Sequence, residues 1–220
     1  MDEVKVPDRG LLGRHALFDE DVMVAPTPET EPTAEMAVDA GRTSWRVDVQ
    51  RRGALSHIDY PFDPFDVVGW KGDLYPYRLA TRDIRPIMSE RYHLPPSAHA
   101  TFVMPNVVVC TFLPRGLETG DPGALKVPFY HSNIDYDEVL FYHDGDFFSR
   151  AGMKAGMVTF HPQGIHHGPQ PAAVRAAVTK ERTNEQAVMI DTRRPLSMTE
   201  AANRAQIPDY HMSWSEKKER

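Results

Sequence analysis

Apolar positions along this chain gather in short runs. Seven of them read as strands: Ser44–Gln50, Asp66–Trp70, His99–Met104, Val107–Leu113, Glu138–Tyr142, Met157–His161 and Gln186–Ile190. Gly/Pro/Asp clusters separate the runs. With 19 prolines and 14 glycines in 220 residues, long helices are disfavoured and an antiparallel barrel or sandwich is expected. Two segments read as short helices. Pro171–Lys180 is alanine-rich with one polar side, and Ser197–Ala205 opens on Ser197 with Glu200 three residues on, the pattern of a capping box. Residues 21–42 have an acidic Pro/Thr/Glu-rich middle and read as a loop or mobile segment, and the charged tail from Ser213 to Arg220 is expected to fray. No internal repeat is visible.

Composition narrows the class. Apolar residues make up 41% and charged residues 25%, as in ordinary globular proteins. A chain of this size buries enough core to fold without a disulfide or metal staple. The formal net charge of -6 argues against a nucleic-acid partner, whose phosphates call for a basic surface. No apolar run is long enough to span a membrane, and the N-terminus lacks the apolar core of a signal peptide. The single cysteine, Cys110, sits in a strand-like run and reads as a buried core thiol. These features together lead to the expectation of a reducing cytoplasm.

The chemistry lies in the histidines. One cluster runs Tyr130-His131-Ser132-Asn133-Ile134-Asp135-Tyr136-Asp137-Glu138, and six residues after Glu138 comes Gly145. A second begins at Gly156 and continues through His161-Pro162-Gln163-Gly164-Ile165-His166-His167-Gly168-Pro169. Two imidazoles and one carboxylate on one face of an iron ion leave open positions for substrate and O2, and the carboxylate offsets part of the metal's charge. Strands facing one another in a small barrel can aim such groups into one cavity. Asp135 and Asp137 compete with Glu138 as the carboxylate, and Glu138 is preferred for its position relative to Gly145. In an extended segment His166 and His167 point to opposite faces, so only one can be the ligand.

The two clusters resemble the paired motifs of the cupin superfamily. A closer resemblance is to the C-terminal domain of homogentisate 1,2-dioxygenases. It is carried by Pro128-Phe129-Tyr130-His131-x-Asn133, Glu138, His161-(x)5-His167-Gly168-Pro169, Pro64-Phe65-Asp66-Val67-Val68-Gly69-Trp70-x-Gly72, Tyr75-x-Tyr77, Phe112-Leu113-Pro114-Arg115 and His93-x-x-Pro96-Ser97. Gly10-Leu11-Leu12-Gly13 and Ala16-Leu17-Phe18 resemble the family's middle region. The resemblance implies His131, Glu138 and His167 as iron ligands, His93 as general base and His161 as a substrate-contacting or supporting histidine. It implies substrate contacts at His167 and Phe147, where Phe147 stands in place of a family tyrosine. Three departures show: Asn133 replaces the usual second histidine of the first cupin motif, one extra residue separates His131 from Glu138, and family members are much longer.

The expectation is therefore an all-β protein, a cupin or jelly-roll β-barrel with short peripheral helices. Residues 1–43 would be a remnant of an N-terminal domain or a linker arm, and residues 44–220 a cupin-type iron-binding domain. The implied activity is Fe(2+)-dependent ring cleavage of homogentisate or a related hydroquinone acid, giving a maleylacetoacetate-type product. The implied partners are the aromatic acid and O2, in a homo-oligomer, with neither nucleic acid nor membrane. The alternatives are a gentisate-type dioxygenase, a redox-neutral cupin isomerase, and a non-catalytic domain that needs a missing half. His93 can also be a plain loop histidine, with His99 its competitor, and His161 a donor to a backbone carbonyl. Trp70, Tyr75 and Tyr77 read as packing residues. Lys71 and Arg115 read as solvated, with a substrate carboxylate as their alternative partner.

Overall fold

The computed structural model describes residues 17–25, 41–64, 76–126 and 129–215. The chain divides into two compact units, Val24–Arg78 on one hand and Met1–Met23 with Leu79–Arg220 on the other. The expected boundary at residues 43/44 falls within the smaller unit.

In the smaller unit, β1 (Trp45–Arg51) and β2 (Ala54–Tyr60) form an antiparallel hairpin. Arg52 and Gly53, with φ of 50° and 78°, make the two-residue turn. Positive φ at both positions matches the twist of the flanking strands. Trp45, Val47 and Val49 are half-buried on one face of β1, while β2 is exposed for most of its length, which is why no apolar run marked it as a strand. The strand expected at Asp66–Trp70 lies outside the described residues, as do Lys71 and Tyr75.

The larger unit carries a five-stranded antiparallel sheet. Its strands are β3 (Ala100–Met104), β4 (Val107–Phe112), β6 (Asp137–Asp146), β7 (Val158–His161) and β9 (Asn184–Thr192), in the order β3-β4-β9-β6-β7. A second ribbon pairs two very short strands, β5 (His131–Ser132) and β8 (His166–His167). The fold is all-β and cupin-like. The described strands make an open sheet and ribbons, with no closed hydrogen-bonded barrel among them.

Alternation sorts the sheet into two faces. One carries Cys110, Leu140, Tyr142, Ala187 and Met189, which pack with Ala100, Phe112 and Phe147. Glu138 and His161 continue the same face as cross-strand partners. On the other side, Phe18, Ile84 and Leu113 form a separate cluster with Phe102. Gly145 pairs with Glu185 just past an irregularity in β6. Its φ is +100°, and a Cβ there would stand 1.7 Å from the Asn184 carbonyl oxygen, so only glycine fits.

Two short helices lie after the ribbon, α1 (Pro171–Ala177) and α2 (Glu200–Ala205). The expected capping box is not formed. Thr199, not Ser197, caps α2, accepting a hydrogen bond from the Ala202 amide at 3.1 Å. The helix starts later than the motif implied, so Glu200 sits at its first position and cannot reach back as the box requires. The start of the tail is also ordered: Tyr210–Trp214 forms a 3-10 turn, and Trp214 Nε1 donates to the carbonyls of Gly168 and Pro169 at 3.2 and 3.1 Å. Residues 216–220 lie outside the described set. Likewise, the first part of the acidic loop is structured through the Glu20–Val22 3-10 turn and the Val24–Arg78 bridge, while residues 26–40 are not described. No helix among the described residues is long and apolar enough to cross a membrane.

Candidate metal centre and its cavity

Two cross-strand pairs build the centre. His131 pairs with His167 in the short ribbon, and Glu138 pairs with His161 between β6 and β7. Gly168, with φ of +126°, lets the chain leave β8 close to its partner, since a Cβ there would meet the Phe129 carbonyl oxygen at 2.8 Å. The result is convergence: His131, Glu138 and His167 each offer a ligand atom, and these atoms all lie within 4.8 Å of one another. Three donors about 2.0–2.2 Å from one ion on one face stand about 3 Å apart, so small side-chain adjustments suffice.

The imidazoles are pre-set for this. His131 Nδ1 lies 3.0 Å from the Phe129 carbonyl oxygen, and His167 Nδ1 lies 3.1 Å from that of Ile165. A carbonyl only accepts, so each Nδ1 carries the proton and each Nε2 keeps a free lone pair. Metal-binding histidines are commonly oriented in this way. His167 Nε2 stands 3.0 Å from Glu138 Oε2, yet it is buried without an aligned hydrogen-bond partner among the described residues. Burial lowers the His131 pKa, as it does that of His161, and so favours the neutral rings that a metal needs.

Glu138 is buried, and burial alone would raise its pKa. Hydrogen bonds from His161 and Asn133, with the nearby His167 ring, outweigh that and hold it well below the usual carboxylate range. Asn133 Nδ2 donates to Glu138 Oε1 at 2.9 Å, while Asn133 Oδ1 accepts from the amides of Asp135 and Tyr136 at 3.2 Å each. The residue that departs from the cupin motif is thus the one that tethers the carboxylate. Asp137 faces the other way, and its two oxygens accept from the amides of Gln163 (2.8 Å) and Leu196 (2.6 Å). His166 is exposed while His167 is buried.

The centre opens on a cavity of about 430 Å³. His93 and His161 both line it. His93 Nδ1 is 3.2 Å from Glu118 Oε1, and its ring meets Phe129 edge-on. His161 stacks on His167 with ring centroids 4.6 Å apart, and its Nε2 has no described partner. His99 also lines the cavity. It is buried, which together with Arg115 and His93 pushes its pKa down to about 4. Phe147 is not brought to the cavity wall: it is buried behind Tyr142, packing edge-on at 4.9 Å, and Tyr142 is the one that lines the cavity. Cys110 is a core thiol, with its pKa pushed up to about 12 by burial and by Asp191 and Glu138, and it donates to the Pro96 carbonyl.

The structure corrects one reading and adds residues. Arg115 is not solvated but only 7% exposed, held under β4 and along the cavity. Arg150 and Glu185 line the cavity, and no motif marked them. Ser149-Arg150-Ala151-Gly152 reads as a turn, and nothing in such a stretch signals burial. Asp191 is the β9 partner of Glu138, and burial and the Glu138 charge raise its pKa to about 7.

No protein-family profile matches the chain. A protein of Saccharolobus solfataricus whose name reads "putative dioxygenase" is 43% identical over 173 residues, which covers 78% of this chain and 44% of that protein. Homogentisate 1,2-dioxygenase of Sinorhizobium fredii is 26% identical over 225 residues, 96% of this chain and 48% of the enzyme. The enzyme of the same name from Rhizobium leguminosarum bv. trifolii is 26% identical over 224 residues, 95% and 47% respectively. The chain is thus distantly related to these proteins over most of its length, and it spans about half the length of the curated relatives it matches.

Proposed function

We propose that this chain carries the centre of an Fe(II)-dependent dioxygenase that opens the ring of homogentisate or a closely related hydroquinone acid. The observation that carries the proposal is the convergence of His131, Glu138 and His167, each imidazole with its Nδ1 proton committed to a carbonyl. The similarity to proteins named homogentisate 1,2-dioxygenase supports the choice of reaction. A transition metal with oxygen and nitrogen ligands fits this donor set, and the open face suits iron. Bound Fe(II) would supply the redox chemistry by which both atoms of O2 enter the substrate while a ring carbon–carbon bond breaks, giving a maleylacetoacetate-type acid.

The protein's own groups orient and move protons. His93 has Nδ1 held by Glu118, which leaves Nε2 as the acceptor for a substrate hydroxyl proton. His161, from the second cross-strand pair, lines the cavity with its Nε2 unpartnered among the described residues, and would contact substrate there. The apolar cavity wall, with Pro95, Phe112, Leu140 and Met189, packs the aromatic ring and excludes bulk water. The partners are then a small aromatic acid and O2, in a homo-oligomer working in the cytoplasm.

The test is anaerobic loading with Fe(II), metal analysis, and an oxygen-electrode trace with homogentisate and then gentisate. One iron per chain and oxygen uptake with homogentisate are expected. Uptake with gentisate alone would move the enzyme to the gentisate type. A chain that retains iron but consumes no oxygen would favour a domain that needs the half its relatives carry and it does not match. No metal retention at all would sink the proposal.

A further inference from the structure

We infer that Arg115 and Arg150 together form the receptor for the substrate's carboxylate. The inference rests on the cavity being the substrate site. Both side chains are more than nine-tenths buried, at 7% and 8% exposure. Both line the same cavity as His131, Glu138 and His161. Buried guanidinium groups are costly unless paired and hydrogen-bonded. Yet Arg115 Nη1 and Arg150 Nε are each buried with no hydrogen-bond partner among the described residues.

Glu185 and Glu118 act on Arg115 through their charge, but neither hydrogen-bonds its Nη1. Glu118 is engaged by His93 at 3.2 Å, and Lys180 holds Asp146 at 2.7 Å. Glu138 belongs to the metal centre. Glu185 is the carboxylate on which both arginines act, lowering a pKa that burial raises. Arg115 and Arg150 share the cavity wall with Glu185 and Glu138, and neither carboxylate is hydrogen-bonded to the open guanidinium atoms. A carboxylate on the ligand fits these open donors, because the planar fork of a guanidinium matches a carboxylate's two oxygens. The positions are fixed by ring contacts, Arg150 lying 5.9 Å from the centre of the Trp214 ring and Arg115 6.0 Å from that of Phe112. Trp214 is itself anchored to Gly168 and Pro169, directly after the ligand His167, so the arginine end and the metal end of the cavity share one support.

Phenylacetate tests this without chemistry, because it carries ring and carboxylate but no hydroxyl to oxidise. Binding to the metal-free full chain is measured by calorimetry and by Trp fluorescence, with phenylacetamide as the neutral isostere. Phenylacetate should bind, and phenylacetamide should bind about tenfold or more weakly, the loss expected for a charge-assisted contact. Arg150→Gln and Arg115→Gln should each cost about tenfold or more in phenylacetate affinity, with Arg150→Lys recovering part of it. Near-UV circular dichroism checks that each variant is folded, and Arg150→Lys decides the matter if a glutamine variant is not. Equal affinity for acid and amide, wild-type affinity in folded glutamine variants, or no phenylacetate binding by the wild type would each overturn the receptor. Failure of iron retention with phenylacetate still bound by the arginines would instead overturn the dioxygenase reading alone.

Discussion

Asn133 offers the sharpest test of how the centre is held. Its amide does two jobs with two different atoms. Oδ1 takes the Asp135 and Tyr136 amides, and Nδ2 donates to Glu138 Oε1 at 2.9 Å. The orientation is unambiguous, because two N–H groups require the oxygen and a carboxylate requires the nitrogen. Asn133→Asp keeps an acceptor for the turn but sets a second carboxylate against Glu138, while Asn133→Ala removes both functions. A hydrogen bond to a charged group contributes about 1.5–3 kcal/mol, so losing the tether should lower metal affinity by about 10- to 100-fold. Asn133→Asp should lose at least as much as Asn133→Ala, because repulsion adds to the missing bond. Alanine should cost more thermal stability, because only alanine breaks the turn. Anaerobic titration with Fe(II) or with Co(II), followed by its visible bands, gives the affinities, and calorimetric unfolding gives the stabilities. If the aspartate variant binds metal as tightly as the wild type, Asn133 does not position the ligand and the account of this motif departure is wrong.

His131→Ala and His167→Ala should each abolish metal retention in equilibrium dialysis with a modest loss of fold stability, since the ligands are not core residues. His93→Asn should keep the metal and slow single-turnover oxygen uptake severely, whereas His99→Asn with matched iron should slow it less; wild-type turnover in the first removes His93 from the mechanism. Phe147→Tyr should cost about 1–3 kcal/mol in urea unfolding, because its hydroxyl enters a core against Tyr142 and Ala187, and it should not improve homogentisate turnover. His99 has its folded pKa pushed down to about 4, so between about pH 6.5 and 4 the unfolded chain takes up a proton that the folded chain refuses. Metal-free stability should therefore fall across that window, and His99→Asn should flatten the fall by up to about 3 kcal/mol relative to wild type.

Much of this was legible because sheets obey simple alternation. His166 and His167 are adjacent in an extended segment, so exposing one buries the other. The same rule separates Asp137 from Glu138, each buried but facing opposite sides and serving different partners. What alternation cannot show is burial imposed by distant segments. Arg150 sits in a polar turn, and it is the ring of Trp214 from the C-terminal 3-10 turn that covers it. Arg115 follows a proline at the end of β4, where a charged residue normally faces water, and its backbone is instead tied to Thr183. Phe147 matched a family position by counting along the chain, but side-chain direction past the irregularity in β6 is not a matter of counting.

The extra residue between His131 and Glu138 shows where counting fails and where it is harmless. A one-residue shift inside a paired strand turns every side chain to the opposite face. Had the extra residue fallen in β6, Asp137 would face the cavity and Glu138 would take its structural bonds. In the segment between β5 and β6 the Asn133 side chain closes a turn onto the amides of Asp135 and Tyr136. Pairing begins again at Asp137 after that turn. The registers of Glu138 with His161 and of His131 with His167 are then independent of loop length. The convergence of His131, Glu138 and His167 is a property of two strand pairings, with the Asn133 side chain holding the carboxylate at that point.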